Sequence, residues 1–327
     1  MTQVTPTGSI CGCRTWRIPL TLAYFDRQLG TEEQCRTFLW KLRWPEGFRC
    51  PGCASREAWA TERNLMHCRQ CGHQTSVTAG TIFHRTRKPL RTWFQVMWWV
   101  TGQKNGASAL GLQRILGLGG YQTAWSWLHK LRRAMVRPGR KPLSGEVEVD
   151  ETYVGGVRDT GGRRHLGHKA LIAIAAEVRG PAIGRIRLRS IPSASAPVLQ
   201  AFVRDSVAPG SVLRTDGWAS YLGLEGQGYR HKRLVQESRR DASKQMPRVH
   251  RVASLLKRWL LGTHQGRVQR PHLPYYLDEF TFRFNRRTSR SRGLLFLRLA
   301  QQAVALDPVP YRHLVGGSST SSRGRLS

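Results

Sequence analysis

Apolar positions recur along this chain with two different periods, and the change from one to the other divides it. From Thr31 to Trp44, residues Cys35, Phe38, Leu39 and Leu42 fall at i, i+3, i+4 and i+7. That spacing predicts a helix, with Thr31 able to cap its start and Pro45 unable to continue it. Pro89 opens a second helical stretch through Trp93, Phe94, Met97, Trp98 and Trp99, an aromatic cluster suited to a core. Between them, Thr75 to Thr86 is rich in Thr, Val and Ile and predicts a strand that completes a small sheet. Ala109 to Leu116, the turn Gly117-Leu118-Gly119-Gly120 and Thr123 to Met135 then predict helix, glycine turn, helix. Arg137-Pro138-Gly139-Arg140-Lys141-Pro142 reads as a linker.

Beyond the linker the apolar runs are short. They predict strands at Glu146 to Asp150, Ala170 to Val178 and Ile183 to Ile191, a helix at Ala196 to Val207, and a strand at Val212 to Thr215. Helices follow around His250 to Leu261 and Leu273 to Asn285. Three strands, a helix and another strand is the order of ribonuclease H-like nucleotidyl transferases, an α/β fold, although order alone does not give function.

Charge narrows the choice of partner. The 327 residues carry 53 Lys and Arg against 20 Asp and Glu, a formal net charge of +33 with a pI near 11.4. Such a field attracts a polyanion, DNA or RNA, and counterion release from phosphates would supply much of the binding energy. A ribosomal or membrane-surface protein can be as basic, but 11 Trp and 40% hydrophobic residues predict folded cores and not a cationic tail. No apolar stretch approaches the roughly 20 residues that span a bilayer, and no signal peptide opens the chain, so a cytoplasmic protein without a membrane partner is expected.

Four of the seven cysteines form Cys50-Pro-Gly-Cys53 and Cys68-Arg-Gln-Cys71, with fourteen residues between the pairs. Each turn can present two thiolates to one tetrahedral Zn²⁺, which predicts a structural zinc ribbon; four thiolates leave no open position for catalysis. A redox CxxC is the alternative. Cys11, Cys13 and Cys35 have no partner at ligand spacing and read as free or buried thiols.

Against so basic a background, two aspartates that close apolar runs are conspicuous: Asp150 after Glu146-Val147-Glu148-Val149, and Asp216 after Val212-Leu213-Arg214-Thr215. Strand-end acids can share divalent cations that clamp the attacking and leaving oxygens of phosphoryl transfer. Glu148 alternates with Asp150 onto the same face, as a supporting or metal-binding residue, while Glu151 points away.

The sequence resembles the insertion-sequence transposases of the IS1595 family, whose catalytic part is the ISXO2-like domain. The resemblance runs from about residue 24 to 304. Its carriers are Leu42-Arg43-Trp44-Pro45-Glu46-Gly47-Phe48, the two CxxC pairs, Thr78-Ala79-Gly80-Thr81, Val147 to Tyr153, Thr215-Asp216-Gly217-Trp218 and Leu255 to Thr263. It implies DNA transposition by a DDE-type mechanism with Mg²⁺ or Mn²⁺, in which Asp150 and Asp216 match the first two metal ligands. The third departs from the usual glutamate. His250 stands seven residues before Lys257, about two helical turns, so both face one way. His250 is therefore expected as the third ligand and Lys257 as a phosphate-orienting residue, with Glu237 and Asp241 as the nearest acids in reserve.

A multidomain chain is thus expected, with an N-terminal segment at 1–30, a zinc ribbon with its preceding helix at 31–87 and a helix-turn-helix-like DNA-binding segment at 88–136. A ribonuclease H-like catalytic domain at 144–304 and a partly disordered tail at 305–327 follow. Lys130, Arg132 and Arg133 are expected to meet DNA from the second helix of the pair, and Arg286 and Arg287 to touch its backbone. The resemblance implies a bacterial, nucleoid-associated enzyme that cleaves terminal inverted repeats and joins them to target DNA, with a homo-oligomer at synapsis. A zinc-ribbon regulator that binds DNA without cutting, a nuclease without strand transfer and a catalytically decayed copy are the competing readings.

Overall fold

A computed structural model describes residues 21–137, 139–155, 169–234, 245–266 and 268–315. Glu237, Asp241, Cys11, Cys13 and the low-complexity tail lie outside them. The chain divides into two compact units. The first combines Met1–Lys104, Leu110–Ala134 and Arg290–Pro310; the second combines Asn105–Ala109, Met135–Ser289 and Tyr311–Ser327.

In the first unit, α1 (Leu22–Leu29) and α2 (Glu32–Arg43) lead into a three-stranded sheet of β1 (Ala58–Ala60), β2 (Leu65–Cys68) and β3 (Gln74–Ser76). Thr31 and Gln34 close a reciprocal capping box at the start of α2, so two otherwise orphaned N–H donors are satisfied. The sheet is antiparallel in the order β1-β2-β3. The strand expected over Thr75 to Thr86 is therefore only its beginning. After Ser76 the chain turns, with Gly80 at φ +74 and Thr81 and His84 in local hydrogen-bonded turns.

Three helices complete this unit before the linker: α3 (Leu90–Gly102), α4 (Ala109–Leu116) and α5 (Tyr121–Ala134). Glu32 of α2 accepts the backbone N–H groups of Leu90 and Arg91, the first donors of α3, at 2.9 and 3.2 Å. The helix Arg292–Val304, named α9 in chain order, also belongs here. Its Phe296 lies within 6.0 Å, centroid to centroid, of Phe25, Phe38, Phe94 and Trp98. It thus joins α1, α2 and α3 through one fully buried ring.

The second unit is a five-stranded sheet between helices. Its strands are β4 (Glu146–Val154), β5 (Ala170–Arg179), β6 (Ala182–Ile191), β7 (Val212–Asp216) and β8 (Arg230–Leu234), in the order β6-β5-β4-β7-β8. β4, β5 and β6 are antiparallel; β7 joins β4, and β8 joins β7, in parallel. One face carries Val147, Val149, Ala173 and Ala175 against Leu199, Phe202 and Val203 of α6 (Ala196–Ser206). The other carries Ile172, Ile174 and Ala176 against α7 (Pro247–His264) and α8 (Leu273–Phe284). A short helix, α10 (Tyr311–Val315), ends the described chain.

Removing the Phe296 ring should cost about 3–5 kcal/mol, the range for a large aromatic cut from a packed core. Urea unfolding of Phe296→Ala, followed by tryptophan fluorescence, is expected to show that loss in the first unit.

Candidate active site

The strand that carries Asp150 is longer than its apolar run. Asp150 is not the last residue of β4 but its fifth, because pairing with β5 continues through Val154. β7 pairs only with the first part of β4, Glu146 with Val212 through Glu148 with Arg214. Continued two residues further, that offset sets Asp216, the last residue of β7, level with Asp150. Asp150 Oδ1 accepts the Glu151 N–H at 2.9 Å and Asp216 Oδ1 accepts the Trp218 N–H at 3.1 Å, so each carboxylate is held by a nearby backbone amide.

His250 comes to them from α7. Its Nε2 lies 3.2 Å from Asp150 Oδ2. The hydrogen bond to Asp150 raises its pKa, and the charges of Glu148 and Asp216 add to that against the opposing effect of burial. Burial raises Asp216, and Asp150 raises it further, while the Trp218 N–H and His250 pull it down. Two close carboxylates that repel one another are the electrostatic setting a divalent cation relieves. Two carboxylates and an imidazole are suitable donors for Mg²⁺ or Mn²⁺. They stand near one another without being drawn to a common point, unlike the cysteines described below. Lys257 lies on the same helix, exposed to solvent.

Glu148 explains why His250 arrives where it does. Met246 offers α7 no side-chain cap, and Pro247 opens it. The carboxylate of Glu148, fully buried, accepts the N–H groups of Arg248 and Val249 at 2.8 and 2.9 Å and the Arg248 guanidinium at 3.0 Å. Helix termini lack partners for their first donors, and here a strand one hundred residues earlier supplies them. Alternation correctly put Glu148 on the Asp150 face, but its role in anchoring α7 had no local signal. Glu151 projects to the opposite face, where its Oε2 accepts the Tyr221 hydroxyl at 2.7 Å. Burial raises its pKa to about 7, with Asp150 and Asp216 adding to the shift and the Tyr221 hydrogen bond opposing it.

The cysteine quartet has the geometry of a tetrahedral site. Cys50 and Cys71 sulfurs are 3.6 Å apart and those of Cys53 and Cys68 are 3.5 Å apart. All four ligand atoms lie within 4.8 Å of one another. Sulfurs about 2.3 Å from one tetrahedral ion would stand roughly 3.8 Å apart. The Cys71 backbone N–H, first among several donors, lowers the Cys68 thiol, while the neighbouring Cys53 and Cys71 thiols stand raised, so the four do not all ionise together without a cation between them.

The expected DNA contacts fare unequally. Arg132 is 2% exposed, with Nη1 3.5 Å from His129 Nδ1, so it belongs to the interior of its unit and not to a DNA-facing surface. Helical periodicity turned it inward. Lys130 lies partly buried with its ammonium 6.0 Å from the Trp93 ring, and Arg133 is also half-buried. Arg286 stacks over Phe282 and Arg287 over Phe284, each 4.1 Å from the ring centroid.

Residues 142–285 match the ISXO2-like transposase domain, and residues 30–74 match a transposase zinc-ribbon domain, both of the IS1595 type. The chain belongs to the IS1595 transposase family. A relative from Halobacterium salinarum, "Uncharacterized protein in transposable element ISH50", is 25% identical over 274 residues, 77% of this chain and 90% of that protein. A chain of the simian T-cell lymphotropic virus intasome in complex with PP2A regulatory subunit B56 gamma superposes with a TM-score of 0.30 and 14% identity. The alignment covers 58% of this transposase and 65% of that chain, too loose a likeness to carry an argument. No described helix is long and apolar enough to cross a membrane.

Replacing Glu148 by alanine leaves the Arg248 guanidinium and two helix donors without their buried acceptor. A loss of about 3–5 kcal/mol is expected in urea unfolding. In the ribbon, Cys50→Ser or Cys68→Ser should remove one zinc per chain by elemental analysis and unfold the module, since metal binding and folding are one equilibrium there.

Proposed function

We propose that this insertion-sequence transposase cuts transposon ends and transfers them to target DNA at Asp150, Asp216 and His250, within a ribonuclease H-like fold. The observation that carries the reading is the contact of His250 from α7 with Asp150 of β4, Nε2 to Oδ2 at 3.2 Å, beside the strand β7 that ends at Asp216. Support for the fold comes from three antiparallel strands followed by two parallel ones, with helices on both faces.

Asp150, Asp216 and His250 would hold Mg²⁺ or Mn²⁺. When bound, the cation supplies charge neutralisation at the scissile phosphate and a nucleophile at neutral pH. The chain's part is orientation: Glu148 fixes the start of α7, β4 and β7 fix the aspartates, and Lys257 steadies a neighbouring phosphate. Water displaces a 3′-oxygen at phosphorus in the first step. The released 3′-hydroxyl then displaces an oxygen of target DNA in the second. Both are in-line displacements, so one site serves both.

The 31–87 ribbon, with Zn²⁺, and the 88–136 helices would recognise terminal repeats, with Lys130 and Arg133 as phosphate contacts. The domain expected at 144–304 would carry the chemistry, acting on nucleoid DNA in the bacterial cytoplasm and as a homo-oligomer at synapsis. Regulators that only bind DNA need no acid pair, and Asp150 with Asp216 favours the enzyme over that reading.

Asp150→Asn and Asp216→Asn should each abolish nicking and joining of labelled terminal repeats while leaving end binding intact, since removing negative charge near phosphates does not weaken attraction. His250→Ala should abolish cleavage, and His250→Glu should retain it with Mg²⁺, which prefers oxygen donors. Normal cleavage in either aspartate variant would refute the metal assignment.

A further inference from the structure

β7 ends at Asp216, and two residues further on stands Trp218, an indole that is 54% exposed. A lone aromatic on a protein surface is ordinary. Trp218 differs in how firmly it is held. Its backbone N–H donates to Asp216 Oδ1 at 3.1 Å, and its carbonyl accepts the N–H of the fully buried Tyr221 at 3.2 Å. The indole Nε1 donates to Ala194 O, just after β6, at 3.4 Å. The residue is thus tied on both sides of its backbone and at its ring nitrogen, yet much of the ring stays bare. Among the described residues no aromatic ring lies against it, whereas Trp59, also exposed, stacks on His67 at 4.2 Å.

Place and charge point to the occupant. Two residues of chain span at most about 7 Å, so the Trp218 backbone cannot lie far from the acid proposed to hold the cation. Beside it Arg233 of β8, itself exposed, is held with Nη2 3.3 Å from Gly217 O. An open aromatic face and a fixed cation side by side suit a ligand that has both a flat π-surface and an anion, which is a nucleotide. A purely apolar partner would match the ring and strand the guanidinium. A second copy of this chain, at a formal net charge of +33, would be repelled there.

We infer that Trp218 is a stacking platform for an unpaired base of a nucleotide beside the scissile phosphate, a positioning residue and not a catalytic one. The inference rests on the reading that this site acts on DNA. Within a duplex a base is stacked on both sides and meets an indole only after leaving the stack, which costs least where the strand is already interrupted. A nick at the transposon end is such a place. An aromatic side chain fixed in advance gives up little freedom on binding, and a base stacked upon it would keep its own phosphate from sliding past the acids.

The test is equilibrium binding of the full chain, in EDTA so that no cleavage occurs, to a labelled terminal-repeat duplex nicked at the boundary of the element. Abasic sites replace the nucleotides flanking the nick, one duplex at a time. Trp218→Ala is expected to weaken binding to the intact-base duplex about tenfold, within the range of base–aromatic stacking, and to leave unchanged the binding of the one duplex that lacks the stacked base. The tie to Asp216 uses the backbone N–H and survives the substitution. Trp218→Phe should keep most of the affinity and Trp218→Leu should lose it, a pair that also serves if the alanine variant does not fold. The slope of log K against log salt should match that of the wild type, since stacking releases no counterions. Equal weakening on every abasic duplex, a flattened slope, or no weakening at all overturns the inference. So does a changed oligomeric state of Trp218→Leu in light scattering with its DNA affinity unaltered, which would assign the ring to a second copy. Cleavage that persists in Asp150→Asn would remove the cleavage reading and leave these affinities as they are, whereas a failed abasic series with cleavage lost in Asp150→Asn would remove this inference alone.

Discussion

A helix that begins Pro247-Arg248-Val249 after an uncapped Met246 has donors that its own neighbourhood leaves unsatisfied. Glu148 satisfies them from inside the sheet, and nearly everything about the candidate site follows from that bond. β-strand alternation places Glu148 and Asp150 on one face, so a single strand carries both the anchor of α7 and the residue that His250 meets. The approach of His250 is therefore set by two carboxylates two residues apart, rather than by the long chain between β7 and α7. Burying a carboxylate demands such pairing, because an unpaired one would be expelled or neutralised.

The scarce acids of this basic chain are used economically in position. Glu148 anchors a helix, Glu177 fixes Arg185, Glu279 pairs with Arg283, and Glu151 meets Tyr221 behind the sheet. Asp150 and Asp216 instead repel one another, with His250 beside them as the partly offsetting group. In the proposed reaction the long-range field of the chain would attract DNA and this local negative spot would take the cation, two electrostatic tasks of opposite sign.

Much of this was legible in the residues. β4 to β7, α2, α3, α7 and α8 showed their periods because each buries one face, or both, against a core. β8, Arg-His-Lys-Arg-Leu, showed none: it is an edge strand joined by backbone bonds to β7, and its side chains carry little apolar signal. Its Thr215 to His231 hydrogen bond, 2.8 Å long, was equally invisible. Asp150 looked like a strand end because the apolar run stops there, whereas β5 continues to pair beyond it. The seven-residue spacing brought out His250 and Lys257, since helical geometry is local. The Glu148 anchor and the inward turn of Arg132 depend on tertiary packing, which no local spacing encodes.

The place of α9 in the chain has a consequence for how the protein is made. Phe296 completes a core whose other rings include Phe25, Phe38, Phe94 and Trp98, so the whole stretch Met135–Ser289 of the second unit is synthesised before the first can close. Domains emerging from a ribosome ordinarily fold N-terminal first, as each is finished. Here the leading unit must wait, the faces that Phe296 covers left open, until the trailing helix has left the exit tunnel. A message cut short by a frameshift or an early stop before Arg292 would yield a ribbon and helices with no closed core. Only a chain translated through α9 would assemble the module that precedes the sheet.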